Sequence, residues 1–190
     1  MARAGMATLI ARLRSMCEAG TADYAVAGTT YWSDDELQAI LDSHRMEITR
    51  ENLVSRSEYV SSGSAVYKDY FSAFRNFEEA SGGSAVWDVE DGDGDSIGTA
   101  NYSVNYDAGH LRFTSDTLNA SYYLTARSYN INRAAAEVWQ RKAAHYASSY
   151  DFAADGARFD RSQMHAHALD MVKHFKNAGG IAIGRLVRTD

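Results

Sequence analysis

The chain has 190 residues, 45% of them hydrophobic and 23% charged, with a formal net charge of −6. That length suits one domain burying roughly 70% of its unfolded surface, and the composition excludes wholesale disorder. One cysteine, Cys17, excludes an intrachain disulfide; no apolar run approaches the ~20 residues that cross a bilayer; and the acidic balance disfavours wrapping nucleic acid.

Between residues 6 and 18, Leu9, Ile10, Leu13, Met16 and Cys17 recur at helical spacing, with Gly20 as a stop. Residues 21–30 read as a small-residue linker. Trp32 precedes Ser33, and Ser33 with Glu36 predicts a capping box opening a helix over 33–53, with Asp34, Asp35 and Glu36 at the positive end of its dipole. Leu37, Ile40, Leu41, His44 and Ile48 continue one face. His44 reads as a packed core-edge side chain rather than a ligand.

Residues 57–127 change character, with glycines, serines and aromatics multiplying. Tyr102, Val104 and Tyr106 alternate before Asp107-Ala108-Gly109, and Leu111 and Phe113 after it, which predicts a hairpin with Gly109 in its turn. Residues 121–127 and 85–90 read as further strands. The aromatics of 66–77 fit either period and are assigned to strand.

From residue 129 the helical pattern returns. Ile131, Ala135, Val138, Trp139, Ala143, Tyr146 and Tyr150 recur at three- and four-residue steps over 131–152. Asp155-Gly156 breaks the pattern, Asp160 with Gln163 predicts a second capping box, and a last helix covers 161–178 before Gly179-Gly180. Trp32, Leu37, Trp139 and Tyr146 are the expected core anchors. The predicted architecture is α+β and mainly α: a single domain over 1–190, a bundle of about four helices with a β-rich insertion over 57–127 between the second and third long helices. An extended tail, 180–190, follows.

Candidate chemistry is sparse. The stretch Glu90-Asp91-Gly92-Asp93-Gly94-Asp95 invites a calcium loop, but Ser96 and Tyr102 stand where such a loop needs glycine and glutamate. His165 and His167 point to different faces of a helix, and His145 and His174 complete no ligand-spaced set. Ser81-Gly82-Gly83-Ser84 lacks the lysine of a phosphate loop, and no serine sits in a nucleophile elbow. No metal, cofactor or catalytic residue is expected, and the chain does not read as an enzyme. For Arg133, Arg141, Lys142, Arg158, Arg161, Arg185 and Arg188, solvated faces and intersubunit ion pairs are as good an explanation as phosphate contacts. The start of the chain carries no apolar core of secretory length, so a cytoplasmic protein is expected.

Several stretches resemble the head-to-tail adaptor (head completion or connector) proteins of tailed bacteriophages. They are Trp32-Ser33-Asp34-Asp35-Glu36-Leu37, the hairpin from Tyr106 to Phe113, Tyr129-Asn130-Ile131-Asn132 with Ala134-Ala135-Ala136-Glu137-Val138-Trp139 and Lys142-Ala143, Tyr150-Asp151-Phe152, Asp155-Gly156, and Phe159-Asp160-Arg161-Ser162-Gln163. The longer β-rich middle and acidic loop depart from that pattern. The resemblance implies a structural protein of the virion neck, assembled in the host cytoplasm as a ring, commonly of twelve copies, beneath the portal protein. Such a ring extends the channel through which double-stranded DNA passes, and carries stopper or tail-completion proteins. The apolar and basic tail, with Ile181, Ile183, Arg185, Leu186, Val187 and Arg188, is then the expected interface, and the β-rich middle the second. The rival expectation is a calcium- or carbohydrate-binding β module on a helical base.

Overall fold

A computed structural model of the chain describes residues 1–59, 63–80, 86–147, 152–154, 157–159 and 161–180. Two compact units divide it, Met1–Asn130 and Ile131–Asp190.

In the first unit, α1 (Ala7–Cys17) buries Leu9, Ile10, Leu13 and Cys17, one stripe at three- and four-residue steps. It ends where Glu18 turns left-handed and the Ala19 N–H donates to the Arg14 carbonyl at 3.0 Å. The expected linker holds a small antiparallel hairpin instead, β1 (Tyr24–Val26) with β2 (Thr29–Tyr31). Tyr24 and Tyr31 stack across it with ring centroids 5.0 Å apart. The Trp32 side chain is fully buried and its backbone N–H donates to the Gly20 carbonyl at 3.0 Å.

Helix α2 (Asp34–Ser43) opens on a capping box: Ser33 Oγ accepts from the Glu36 N–H, and the Glu36 carboxylate accepts from the Ser33 N–H at 2.8 Å. Leu37, Ile40 and Leu41 are buried. The helix expected over 33–53 stops at Ser43, ten residues early, and residues 45–52 are a strand. Ile48 satisfies the helical i, i+4 step from His44 and the two-residue step of a strand equally well. The long-range pairing of this segment decides the matter, since 45–52 hydrogen-bonds to residues near 126, far along the chain.

The strands are β3 (Arg45–Asn52), β4 (Val54–Tyr59), β5 (Ala65–Phe71), β6 (Trp87–Glu90), β7 (Tyr102–Asn105), β8 (His110–Phe113) and β9 (Tyr123–Tyr129). They form two antiparallel sheets, β3-β9-β6 and β4-β5-β8-β7. Ile48, Trp87, Val89, Leu124 and Ala126 from the first meet Tyr70, Tyr102, Leu111 and Phe113 from the second in one buried cluster. The two sheets therefore share a core, as in a small sandwich. The chain crosses between them at Leu53, itself buried, whose N–H donates to the Tyr122 carbonyl at 2.9 Å. A bulge between Ile48 and Glu51, with Arg50 at φ 50°, bends β3 into that crossing.

This overturns the mainly helical bundle. Residues 57–127 are no insertion between helices: with β3 and β9 they build the sheet core of the first unit, and the fold is a sheet-rich α+β one. Aromatic and aliphatic side chains of this stretch make up most of the cluster buried there. Helix α1 packs on α2 within this unit.

The second unit is a helical hairpin. Helix α3 (Ile131–Ala147) packs on α4 (Arg161–Ala178), with a short antiparallel pair, β10 (Phe152–Ala154) and β11 (Ala157–Phe159), in the connection. Phe152 thus lies in a strand rather than at the end of a helix, and Tyr129 closes β9 rather than opening α3. Asp160 of the expected second capping box lies outside the described residues. Alanines at 134, 135 and 143 let the α3 backbone come close, and Ala168, Val172 and Phe175 form the buried stripe of α4. Asn132 Nδ2 donates to the Ala178 carbonyl at 3.2 Å and Arg133 Nε to the Gly179 carbonyl at 3.2 Å. The first turn of α3 therefore satisfies the open carbonyls of α4 and sets a cation at its negative end.

Gly109 shows how tightly the turns are specified. Its φ is +66°, and a Cβ would run into the carbonyl oxygen of Phe74 and reach the Phe77 ring at 3.0 Å. Gly109→Ala is expected to cost roughly 3 kcal/mol, read as a lower denaturant midpoint at unchanged slope. A loss under half that size would mean that the turn is free to open.

Candidate functional site

The expected core anchors lie where packing puts them: Trp32 and Leu37 are fully buried, Trp139 is 4% exposed, and Tyr146 is half-buried. They hold shape and present no chemistry. The expected interface residues Ile181, Ile183, Arg185, Leu186, Val187 and Arg188 lie outside the described residues, as does the glycine-rich segment 81–85.

No group of three His, Cys, Asp or Glu residues stands together at metal-holding distance among the described residues. In the acidic loop, Asp91 Oδ1 accepts the N–H groups of Asp93 and Asp95, each at 3.0 Å, so one carboxylate is spent on the turn itself. Arg50 pairs with Glu90 at its base. Asp93 and Asp95 remain exposed. The histidines pack on neighbours: His167 meets Trp139 edge-on at 5.6 Å, and His174 meets Phe175 at 5.0 Å. Cys17 is buried.

Two polar clusters escaped the sequence reading. The first centres on Glu78, 2% exposed. Arg3 reaches it with Nε at 2.9 Å and grips Asp42 with both terminal nitrogens, at 2.9 and 2.7 Å. The Tyr129 hydroxyl donates to Glu78 at 2.7 Å, and Arg127 stands 3.9 Å away. Burial, the Glu78 hydrogen bond and the facing carboxylates push the Tyr129 phenol well above its ordinary value. Burial tends to raise the Asp42 carboxyl, but hydrogen bonds and charge from Arg3 outweigh it and hold the group below its ordinary value. The cluster ties the N-terminal segment, α2, the 72–80 segment and β9 together. It acts as a clamp.

The second cluster lies on the outward face of the four-stranded sheet. Asp69 accepts from His110 Nε2 at 2.8 Å and from Arg112 at 2.9 Å, and Arg112 also reaches Glu58 at 2.9 Å. Phe71 stacks on His110 at 4.6 Å and carries Arg56 at 5.4 Å from its centroid. These are cross-strand neighbours, and such pairs stabilise a solvated sheet face. The alternation of β8 and its hairpin with β7 were visible in the sequence; its pairing with β5, which brings Asp69 and Phe71 here, was not.

Two further surface features bear on association. The outer edges of β3, β4 and β7 pair with no other strand among the described residues, and β4 carries Val54 and Tyr59, 67% and 76% exposed. An open hollow beside β3 is lined by Met46, Glu47, Ile48, Thr49, Glu51 and Phe74. The charge is also divided. Residues 1–130 carry 10 Lys and Arg against 19 Asp and Glu, and residues 131–190 carry 9 against 6. The first unit is therefore strongly acidic and the second basic.

The clamp makes a signed pH prediction. A carboxyl whose folded pKa is depressed adds stability that is fully present above its unfolded value, about 3.9, and lost as pH falls through the lower folded value. Asp42→Asn should therefore lower the unfolding midpoint at neutral pH, with the gap to wild type closing below about pH 4. A gap independent of pH would show that Asp42 contributes through shape alone.

No family model matches the chain, and neither does any curated protein or solved structure.

Proposed function

We propose that this chain is a structural protein of the phage neck, a head-to-tail adaptor. It forms a ring beneath the portal, extends the DNA channel and offers a platform to stopper or tail-completion proteins. The observation that supports this most is the set of open strand edges in the first unit. Unpaired edges invite strand pairing with a neighbouring copy, and a heterologous contact repeated around an axis closes a ring.

Three of the segments that carry the resemblance set local joints within the described residues. Trp32, Ser33 and Glu36 fix where α2 begins; Gly109 fixes the β7–β8 turn; Asn132 and Arg133 fix how α3 meets the end of α4. Investment in shape suits a part whose work is geometric. The net negative charge suits a passage in which packaged DNA slides without adhering.

The tail 181–190 is proposed to dock on the portal, with Ile181, Ile183, Leu186 and Val187 as apolar anchors and Arg185 and Arg188 pairing with acidic partners. Removing 181–190 should leave the thermal unfolding midpoint within a degree or two while abolishing co-sedimentation with its phage's portal ring. Retained co-sedimentation would remove the tail from the interface. Absence of co-sedimentation by the intact chain would remove the adaptor reading itself.

A further inference from the structure

We infer that neighbouring copies join through opposite charge, the outward face of α4 on one copy seating against the acidic 91–95 loop of the next. This rests on the ring reading in taking the partner to be a second copy.

The helix offers a built face. Its buried stripe is Ala168, Val172 and Phe175. Ser162, Ala166, Leu169, Lys173 and Lys176 recur at steps of four, three, four and three, which places them on one exposed flank, about 110° around the helix from that stripe. Leu169 is 40% exposed and Lys173 75% exposed, and Lys176 is exposed with no ion pair among the described residues. Among the described residues, the one ion pair of Lys173 is with Asp170, at 3.1 Å on the same helix. An apolar centre with a charged rim is the pattern of a protein contact.

The acidic loop is its complement. Asp91 folds inward onto the loop's own N–H groups, and the Asp91 N–H donates to the Asp95 carbonyl at 3.0 Å, so the turn is preformed. Asp93 and Asp95 are left exposed without ion pairs among the described residues. Ile97, half-buried beside them, supplies an apolar counterpart to Leu169. A DNA phosphate backbone is the poorer fit: the face holds two lysines around an exposed leucine, on a chain whose other unit carries 19 acidic residues against 10 basic ones.

The test is sedimentation of the full chain at about 20 and 200 mM salt, across which the screening length shortens about threefold. Self-association should weaken about tenfold with salt. Lys173→Glu with Lys176→Glu should weaken it about tenfold at low salt, as should Asp93→Lys with Asp95→Lys, and combining all four should restore it. A chain monomeric at low salt, single-sided variants that associate like wild type, or failure of the combination to restore would each overturn the inference. So would lysine variants that lose binding to a labelled 30-base-pair duplex while self-association stays intact. Rings on the portal that ignore charge reversal defeat the inference alone; salt-sensitive association without portal docking defeats the adaptor reading alone.

Discussion

A carboxylate almost fully out of water constrains the first unit more than any other group. Glu78 is 2% exposed, and a buried charge of this kind persists only when paired and hydrogen-bonded. Its partners come from 75 residues before it, Arg3, and 51 after it, Tyr129. The start of the unit and its last strand are therefore brought to one point, and Asp42 on α2 joins through the same guanidinium. Arg3 is a third exposed, so solvent screens part of its attraction, and removing it would cost about 2 kcal/mol. Most of that is the cost of leaving Glu78 without its strongest partner.

The sandwich of the first unit depends on a second constraint, a continuous run of chain that passes directly from one sheet to the other. The chain passes from β3 to β4 through Leu53, with the bulge at Arg50 turning it. Strand β9 lies central between β3 and β6. Local helix formation ends at Ser43, and the residues beyond it pair with β9, which sets Ile48 in the cluster shared by both sheets. Closed hairpin turns and capped helices then leave the free hydrogen-bonding capacity at the strand edges. That division of labour, firm interior and open edge, suits a subunit meant to be repeated.

Features set by neighbours in sequence were legible. The Ser33–Glu36 capping box and the Gly109 turn depend on residues three or four apart, and both can be read from side-chain chemistry alone. Features set by distant partners were not. Ile48 obeys both periods, so only its pairing with Ala126 distinguishes strand from helix. The β1–β2 hairpin was hidden because its tip, Ala27-Gly28, follows small residues that resemble a linker, although Tyr24, Val26, Thr29 and Tyr31 alternate around it. Nothing local marks Arg3 as the partner of Glu78, since a lone arginine near an N-terminus carries no pattern. Summing charge over the whole chain masked its division, because an acidic first unit and a basic second one partly cancel.

Repetition around an axis is the central claim, and the most direct measurement is the native mass of the portal ring after incubation with the intact chain. The adaptor role predicts a discrete complex with one copy per portal subunit, twelve on a twelve-fold ring, seen end-on in electron micrographs as a second annulus. An unchanged portal mass, or a broad distribution of partial occupancies with no annulus, would contradict it.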